Sequence, residues 1–158
     1  METTDAAIVR PYRAQVHWVV DAGPPNISVV RAAARGTVQN WELSVLADDV
    51  ALIVGELAAN AWTHGQPPVV VMLRLEDSSI LIAVSDAGPG MMVFSQPEAL
   101  GVHGRGLPIV ASIAHEVGLY ADYEGKLVWA RLRFQWAVPS DETEAAAVPS
   151  AESGAAAA

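Results

Sequence analysis

Cysteine is absent from the chain. It can therefore hold no disulfide, no thiolate zinc site and no cysteine nucleophile, and its redox compartment leaves no mark. Basic residues are scarce, with 9 Lys+Arg against 18 Asp+Glu and a formal net charge of −9. A net-acidic chain without a basic stripe is a poor fit to a nucleic-acid backbone or to a membrane-surface helix. Long apolar runs are missing as well. The longest uncharged stretch, residues 57–73, is interrupted by Asn60, His64, Gln66, Pro67 and Pro68, so it cannot span a bilayer. The N-terminus, Met1-Glu-Thr-Thr-Asp5, lacks the basic and apolar regions of a secretory signal. A cytoplasmic protein of one domain is the expectation for 158 residues.

The hydrophobic fraction of 52% is inflated by 28 Ala; without them about a third of the residues are apolar, as in an ordinary globular protein. Charge is unevenly spread. Asp141, Glu142, Glu144 and Glu152 lie in a segment with no base, leaving 14 acids against 9 bases in residues 1–138. Residues 139–158 also lose every aromatic, Leu and Ile, and cannot bury enough apolar surface to offset their ordering entropy. They read as a disordered acidic, Ala-rich tail. Residues 1–10 read as a flexible N-terminus, and residues 11–138 as the folded domain.

Within that domain the pattern alternates between strand and helix periods. Ala14–Val20 alternates as a strand does. Ile27, Val30, Ala34, Val38 and Trp41 recur at helical spacing after Pro24-Pro25, with Gly36 weakening the run. From Leu43 to His64, seven apolar residues fall within an arc about 100° wide, which predicts the strongest helix. Gly65 is a natural C′ stop for it, and Pro67-Pro68 prevent its continuation. Val69–Leu75 and Ile80–Ser85 read as strands joined by a turn at residues 76–79. Residues 87–104 form a Gly/Pro-containing stretch with little periodicity, and loops of that length are usually functional. A helix follows over Leu107–Glu116, then strands near Val117–Tyr123 and Lys126–Trp136 around a Glu124-Gly125 turn. The expected class is α+β: a two-layer sandwich with helices on one face of a mixed, mainly antiparallel sheet.

Three features carry chemistry. At about 100° per residue, Asn60 and His64 lie about 40° and 80° round the helix from Glu56, at the margin of its apolar arc. Burying such groups unpartnered costs about 1–3 kcal/mol each. They are either a hydrogen-bonded core Asn with a boundary Glu, or a site in which the Asn carbonyl meets a hard cation and the Glu accepts a proton. Next, the strand at 80–85 runs into Asp86-Ala-Gly88-Pro-Gly90, which puts a carboxylate at the sheet end and lets backbone approach a ligand without Cβ obstruction. A plain Gly-rich turn with an Asx hydrogen bond would look the same. Third, Gly101-Val-His-Gly104-Arg105-Gly106-Leu107-Pro108 is a glycine-rich approach to a helix N-terminus, where free N–H groups and the dipole suit phosphate, with Arg105 adding charge. It could equally be an ordinary loop leading into a helix. It is neither a Walker loop nor the dinucleotide fingerprint.

Taken in order, E-x-x-x-N on a helix, D-x-G-x-G after a strand and G-R-G-L before a helix resemble the N, G1 and G2 boxes of the gyrase/histidine-kinase (GHKL) ATP-binding superfamily. Glu56-Leu-Ala-Ala-Asn60-Ala-Trp-Thr-His64-Gly65 and Gly125-Lys-Leu-Val-Trp129-Ala are similar to its small anti-sigma-factor kinase branch, as found in actinobacteria. The similarity covers roughly residues 10–135.

The resemblance implies a Bergerat-type fold that binds ATP and Mg²⁺, with a lid at residues 89–104. By that likeness Asp86 accepts a hydrogen bond from the adenine amino group, and Gly88 and Gly90 let the lid hinge pass the base. Asn60 holds Mg²⁺, while Gly104, Arg105, Gly106 and Leu107 wrap the phosphates at the helix start. Glu56 is the general base toward a Ser or Thr hydroxyl of a partner protein. A serine/threonine kinase that binds a sigma factor and phosphorylates a small antagonist protein is implied, as is dimerisation; the alternative is a non-catalytic, ATP-dependent interaction module. Leu127 stands where the family commonly has Thr, whose hydroxyl assists adenine recognition, so a lower nucleotide affinity is expected. His103, in the lid segment, is expected to face solvent. No phosphoacceptor helix or sensor is visible, which points away from histidine phosphorylation.

Overall fold

The computed structural model describes residues 10–20, 24–88 and 106–136. The expected tail, the lid segment and all but one residue of the expected flexible N-terminus lie outside these. The elements are β1 (Tyr12–Val20), α1 (Pro24–Asn40), a 3₁₀ turn (Ser44–Leu46), α2 (Ala47–His64), β2 (Val69–Glu76), β3 (Ser79–Asp86), α3 (Gly106–Ile113), β4 (Glu116–Ala121) and β5 (Lys126–Arg133). The five strands form one sheet in the order β1-β2-β3-β5-β4. All four pairings are antiparallel. The α+β sandwich expected from the sequence is thus the fold observed.

Alternation decides which face of each strand is buried under helix. Val71 and Leu73 of β2, Ile80, Ile82 and Val84 of β3 and Val128 of β5 pack with Val38 of α1 and Ile53, Val54 and Leu57 of α2. The opposite face of the sheet carries a smaller cluster of Leu81, Ala83 and Trp129, with Met72 and Leu127 against it. The central strand β3 is buried on both faces, which explains its nearly continuous apolar run. Among the described residues no helix is long and apolar enough to cross a membrane.

Three of the boundaries that differ from expectation have a clear local reason. The helix expected from Leu43 begins at Ala47. Leu43 instead closes α1: its N–H donates to Val38 O at 3.1 Å, the Glu42 N–H donates to Gln39 O at 3.0 Å, and Glu42 has φ 63°. This is a Schellman cap, with the buried Leu43 and Val38 supplying its hydrophobic contact. Leu43 therefore keeps the apolar pattern without being helical. Helix α3 ends at Ile113 rather than Glu116, because His115 N–H already donates to Arg131 O (2.9 Å) and Glu116 belongs to β4. Strand β5 stops at Arg133; Trp136 then reaches back, its indole N–H donating to Asp77 O at 3.0 Å.

At the β2–β3 turn end of the sheet lies a buried ionic cluster. Arg131 has no exposed side-chain surface and binds Glu76 Oε2 through Nε (3.0 Å) and Glu116 Oε2 through Nη1 (2.6 Å). Ser79 donates to Glu76, and Arg133 pairs with the other Glu116 oxygen. Arg133, and after it Arg131, hold the Glu116 carboxyl below its ordinary value of 4.5 by donating to its charged form.

Two measurements check these features. Gly36 lies inside α1 with open space where a Cβ would point, whereas Glu42 is a non-glycine residue at positive φ. Gly36→Ala and Glu42→Gly should therefore each raise unfolding stability by about 0.5–1 kcal/mol in denaturant titrations. Because the Glu116 carboxyl is depressed, its stabilisation is present above pH 4.5 and lost as pH falls below that value through the folded-state pKa. Glu116→Gln should flatten the stability–pH curve in that acid window; an unchanged slope would refute the pairing.

Candidate functional site

The site is built on the C-terminal end of β3. Asp86 is its last residue, and the aspartate side chain is 1% exposed. Oδ1 accepts from Gly88 N–H at 2.9 Å, an Asx turn, and from Gln66 N–H at 3.4 Å. Oδ2 lies 3.5 Å from Lys126 Nζ, and that ammonium also donates to His64 O at 3.3 Å. Ala87 N–H donates to Gln66 O at 2.9 Å, so the exit of β3 is joined to the residues that follow α2. A buried carboxylate is tolerable only when its oxygens are paired in this way.

Glycine is required around it by space. A Cβ on Gly65 would sit 2.3 Å from Asp86 Cγ, one on Gly88 2.8 Å from Oδ1, and one on Gly125 2.3 Å from Asp86 O. Gly65 does follow the last residue of α2, but its φ of −111° and ψ of −164° are extended rather than left-handed. Its role is close approach, not the left-handed stop expected for a C′ glycine.

Helix α2 carries Glu56 and Asn60 one turn apart, and it packs on β3 and on α3. Both side chains are half-buried, and His64 is exposed. They lie at the margin of the apolar face rather than inside it, so neither needs a buried partner. Gly106 is the first residue of α3, and Leu107 packs against the main core. Gly90, His103, Gly104 and Arg105 lie outside the described residues. The structure thus places the described parts of the three motifs around one helix: Glu56 and Asn60 on α2, Asp86 and Gly88 beside its end, and the start of α3 in the element packed against it.

Two residues change standing. Leu127 is opposite Ser85 and packs with the Leu81–Trp129 cluster, on the sheet face away from Asp86. The neighbour that shares Asp86's face is Lys126, which pairs with it directly in the β3–β5 register. Opposite charges in register are a recognisable cross-strand signal, but β5 follows β4 in the chain and lies between β3 and β4 in the sheet, so sequence order did not reveal the pair. Among the described residues no group of three or more His, Asp or Glu could hold a metal ion.

A sequence model described as a histidine kinase-like ATPase domain matches residues 20–132. Comparison with curated proteins finds no match.

The close fit of Gly65 to Asp86 is testable by a double-mutant cycle. Gly65→Ala should destabilise by about 1–3 kcal/mol through overpacking. With Asp86→Ala in the background, the same change should cost at least about 0.5 kcal/mol less, since the clash with the carboxylate is gone and only that with Ala61 O, 2.5 Å from the same Cβ, remains. Additive costs would show that the helix end, and not the carboxylate, dictates glycine at this position.

Proposed function

The chain belongs to the histidine kinase-like ATPase domain family, and we propose that it is a cytoplasmic, ATP-dependent serine/threonine protein kinase of the anti-sigma-factor type. Its phosphate acceptor in this reading is a Ser or Thr of a small antagonist protein, within a partner switch that also involves a sigma factor. The observation that carries the nucleotide part is Asp86: a buried carboxylate whose Oδ1 is taken by two backbone N–H groups, while Oδ2, among the described residues, faces the Lys126 ammonium at 3.5 Å. Such an oxygen is an acceptor for the exocyclic amino group of adenine. Gly88, held against it, leaves the backbone without a Cβ there, and Gly88 and Gly90 would let the chain pass the base.

The remaining roles follow the chemistry of the donors. Mg²⁺ takes oxygen ligands, keeps several waters and binds through one or two side chains plus substrate phosphates. A single half-buried Asn60 amide on α2 fits that demand. The bound ion would supply charge neutralisation on the transferring phosphate. Gly104, Arg105, Gly106 and Leu107, leading into α3, would offer N–H groups and a guanidinium to the phosphates. Glu56, one turn before Asn60, would accept the proton of the attacking hydroxyl as its oxygen bonds the γ-phosphorus and the bond to ADP breaks. Positioning and electrostatics make up most of catalysis in phosphoryl transfer, so one well-placed base is sufficient.

The test separates binding from transfer. Asp86→Asn should weaken ATP·Mg²⁺ binding by about 1–3 kcal/mol, read by calorimetry. Glu56→Gln should leave that affinity within about twofold while lowering phosphotransfer to a partner captured in an ATP-dependent pull-down by about 10²–10⁴. Full phosphotransfer by Glu56→Gln would remove it as the base. ATP binding with no phosphorylated partner would make the protein an ATP-dependent interaction module.

A further inference from the structure

Lys126 is the single lysine of the chain, against eight arginines. It stands at the first position of β5, in register with Asp86 at the last position of β3. The antiparallel pairing therefore fixes an acceptor, Asp86 Oδ2, and a donor, Lys126 Nζ, 3.5 Å apart on one face of the sheet. The two differ in access: the aspartate side chain is 1% exposed and the lysine side chain 19%. An ammonium has three N–H donors and no acceptor. Contacts among the described residues account for two of them, toward Asp86 Oδ2 and His64 O.

We propose that Lys126 is a base-reading residue that donates its remaining N–H to the ring nitrogen N1 of adenine, beside the amino group accepted by Asp86. This rests on the reading of Asp86 as the adenine acceptor. The chemistry is complementary in order: the edge of adenine presents a donor, the 6-amino group, next to an acceptor, N1. Guanine presents the reverse, with an acceptor at position 6 and a donor at N1. It would set its oxygen against the carboxylate and its N–H against the ammonium. A site whose polar groups are left unpaired or opposed by the wrong ligand discriminates strongly. The compact ammonium also suits this place, since its donors rotate freely while the planar guanidinium fork of Arg would have to align with the carboxylate. His64 O, at the end of α2, holds the ammonium on its other side and so ties base recognition to the helix carrying Glu56 and Asn60.

The experiment compares ATP with 1-deaza-ATP, in which N1 is replaced by C–H, in equilibrium binding with Mg²⁺. Wild-type protein should bind 1-deaza-ATP about 10- to 100-fold more weakly than ATP. Lys126→Met should bind ATP more weakly by a similar factor and no longer distinguish the two nucleotides, an effect that a merely structural lysine would not produce. Equal affinity of the wild type for both nucleotides overturns the proposal without touching the nucleotide-binding reading. So does Lys126→Met protein that binds ATP as tightly as wild type, or that still rejects 1-deaza-ATP. If wild-type protein binds neither nucleotide, the nucleotide-binding reading itself fails and takes this one with it.

Discussion

One buried carboxylate sets the terms at the end of the sheet where β3 finishes. Asp86 enters the space where α2 ends, β3 ends and β5 begins, and its backbone and side chain leave no room for a Cβ at Gly65, Gly88 or Gly125. These three glycines stand in three separate stretches of sequence, after a helix, after a strand and before a strand. All three are crowded by Asp86, Gly65 by Ala61 O as well. The carboxylate is held by two N–H groups and an ammonium, which is what makes burial of its charge tolerable. Loss of any one of those partners would be felt at the end of α2 as well as at the sheet, because Gln66 and His64 belong to the same set of contacts.

The opposite end of the sheet has its own ionic clamp, and the two ends use charge differently. There Arg131 is fully enclosed and spans Glu76 and Glu116, joining β2, β5 and β4 across the sheet face that the helices do not cover. The Arg131 guanidinium lies 5.3 Å from the centroid of the Trp129 ring, so the cation is covered by aromatic surface as well as paired. Nothing about this cluster resembles a reaction site: its acids are neutralised by well-directed arginine donors. It fixes strand order and register, and so the position of β5 beside β3. That register is what brings Lys126 to Asp86 at the far end.

Much of the architecture was legible because local pattern and tertiary environment agree. The apolar period of α2, the two-sided burial of β3 and the Asp-x-Gly turn each state in sequence what the fold then does. The misreadings came where a residue serves an element other than its own. Leu43 continues the apolar period of α2 yet caps α1, and Glu116 continues a helical run yet is drawn into β4 by Arg131 and Arg133. Gly65 sits where a helix-stopping glycine belongs, but its backbone is extended, and a Cβ there would meet Asp86, in a different element, as well as Ala61 O of its own helix. At residues 126 and 127 only strand register decides which side chain faces the site, and that register depends on a strand insertion no local pattern contains. The motif residues were thus readable as candidate types, while which of them pair with one another was not.

That geometry bears on how an acidic protein can hold a polyanion. The described cations are largely committed: Arg131 and Arg133 to the far cluster, Arg13 to Asp77 and Arg35 to Asp48. Lys126 is committed too, to the Asp86 carboxylate; on the proposed reading of Asp86, its charge would act at the base end of the nucleotide and not on the phosphates. On the same reading, neutralisation of the phosphates would fall to Mg²⁺, to backbone N–H groups at the start of α3 and to Arg105. Such a site has little long-range positive field with which to attract other polyanions. Selection in it would then come from contact geometry at the end of β3, and net charge, which argues against a nucleic-acid polymer, does not argue against a single nucleotide.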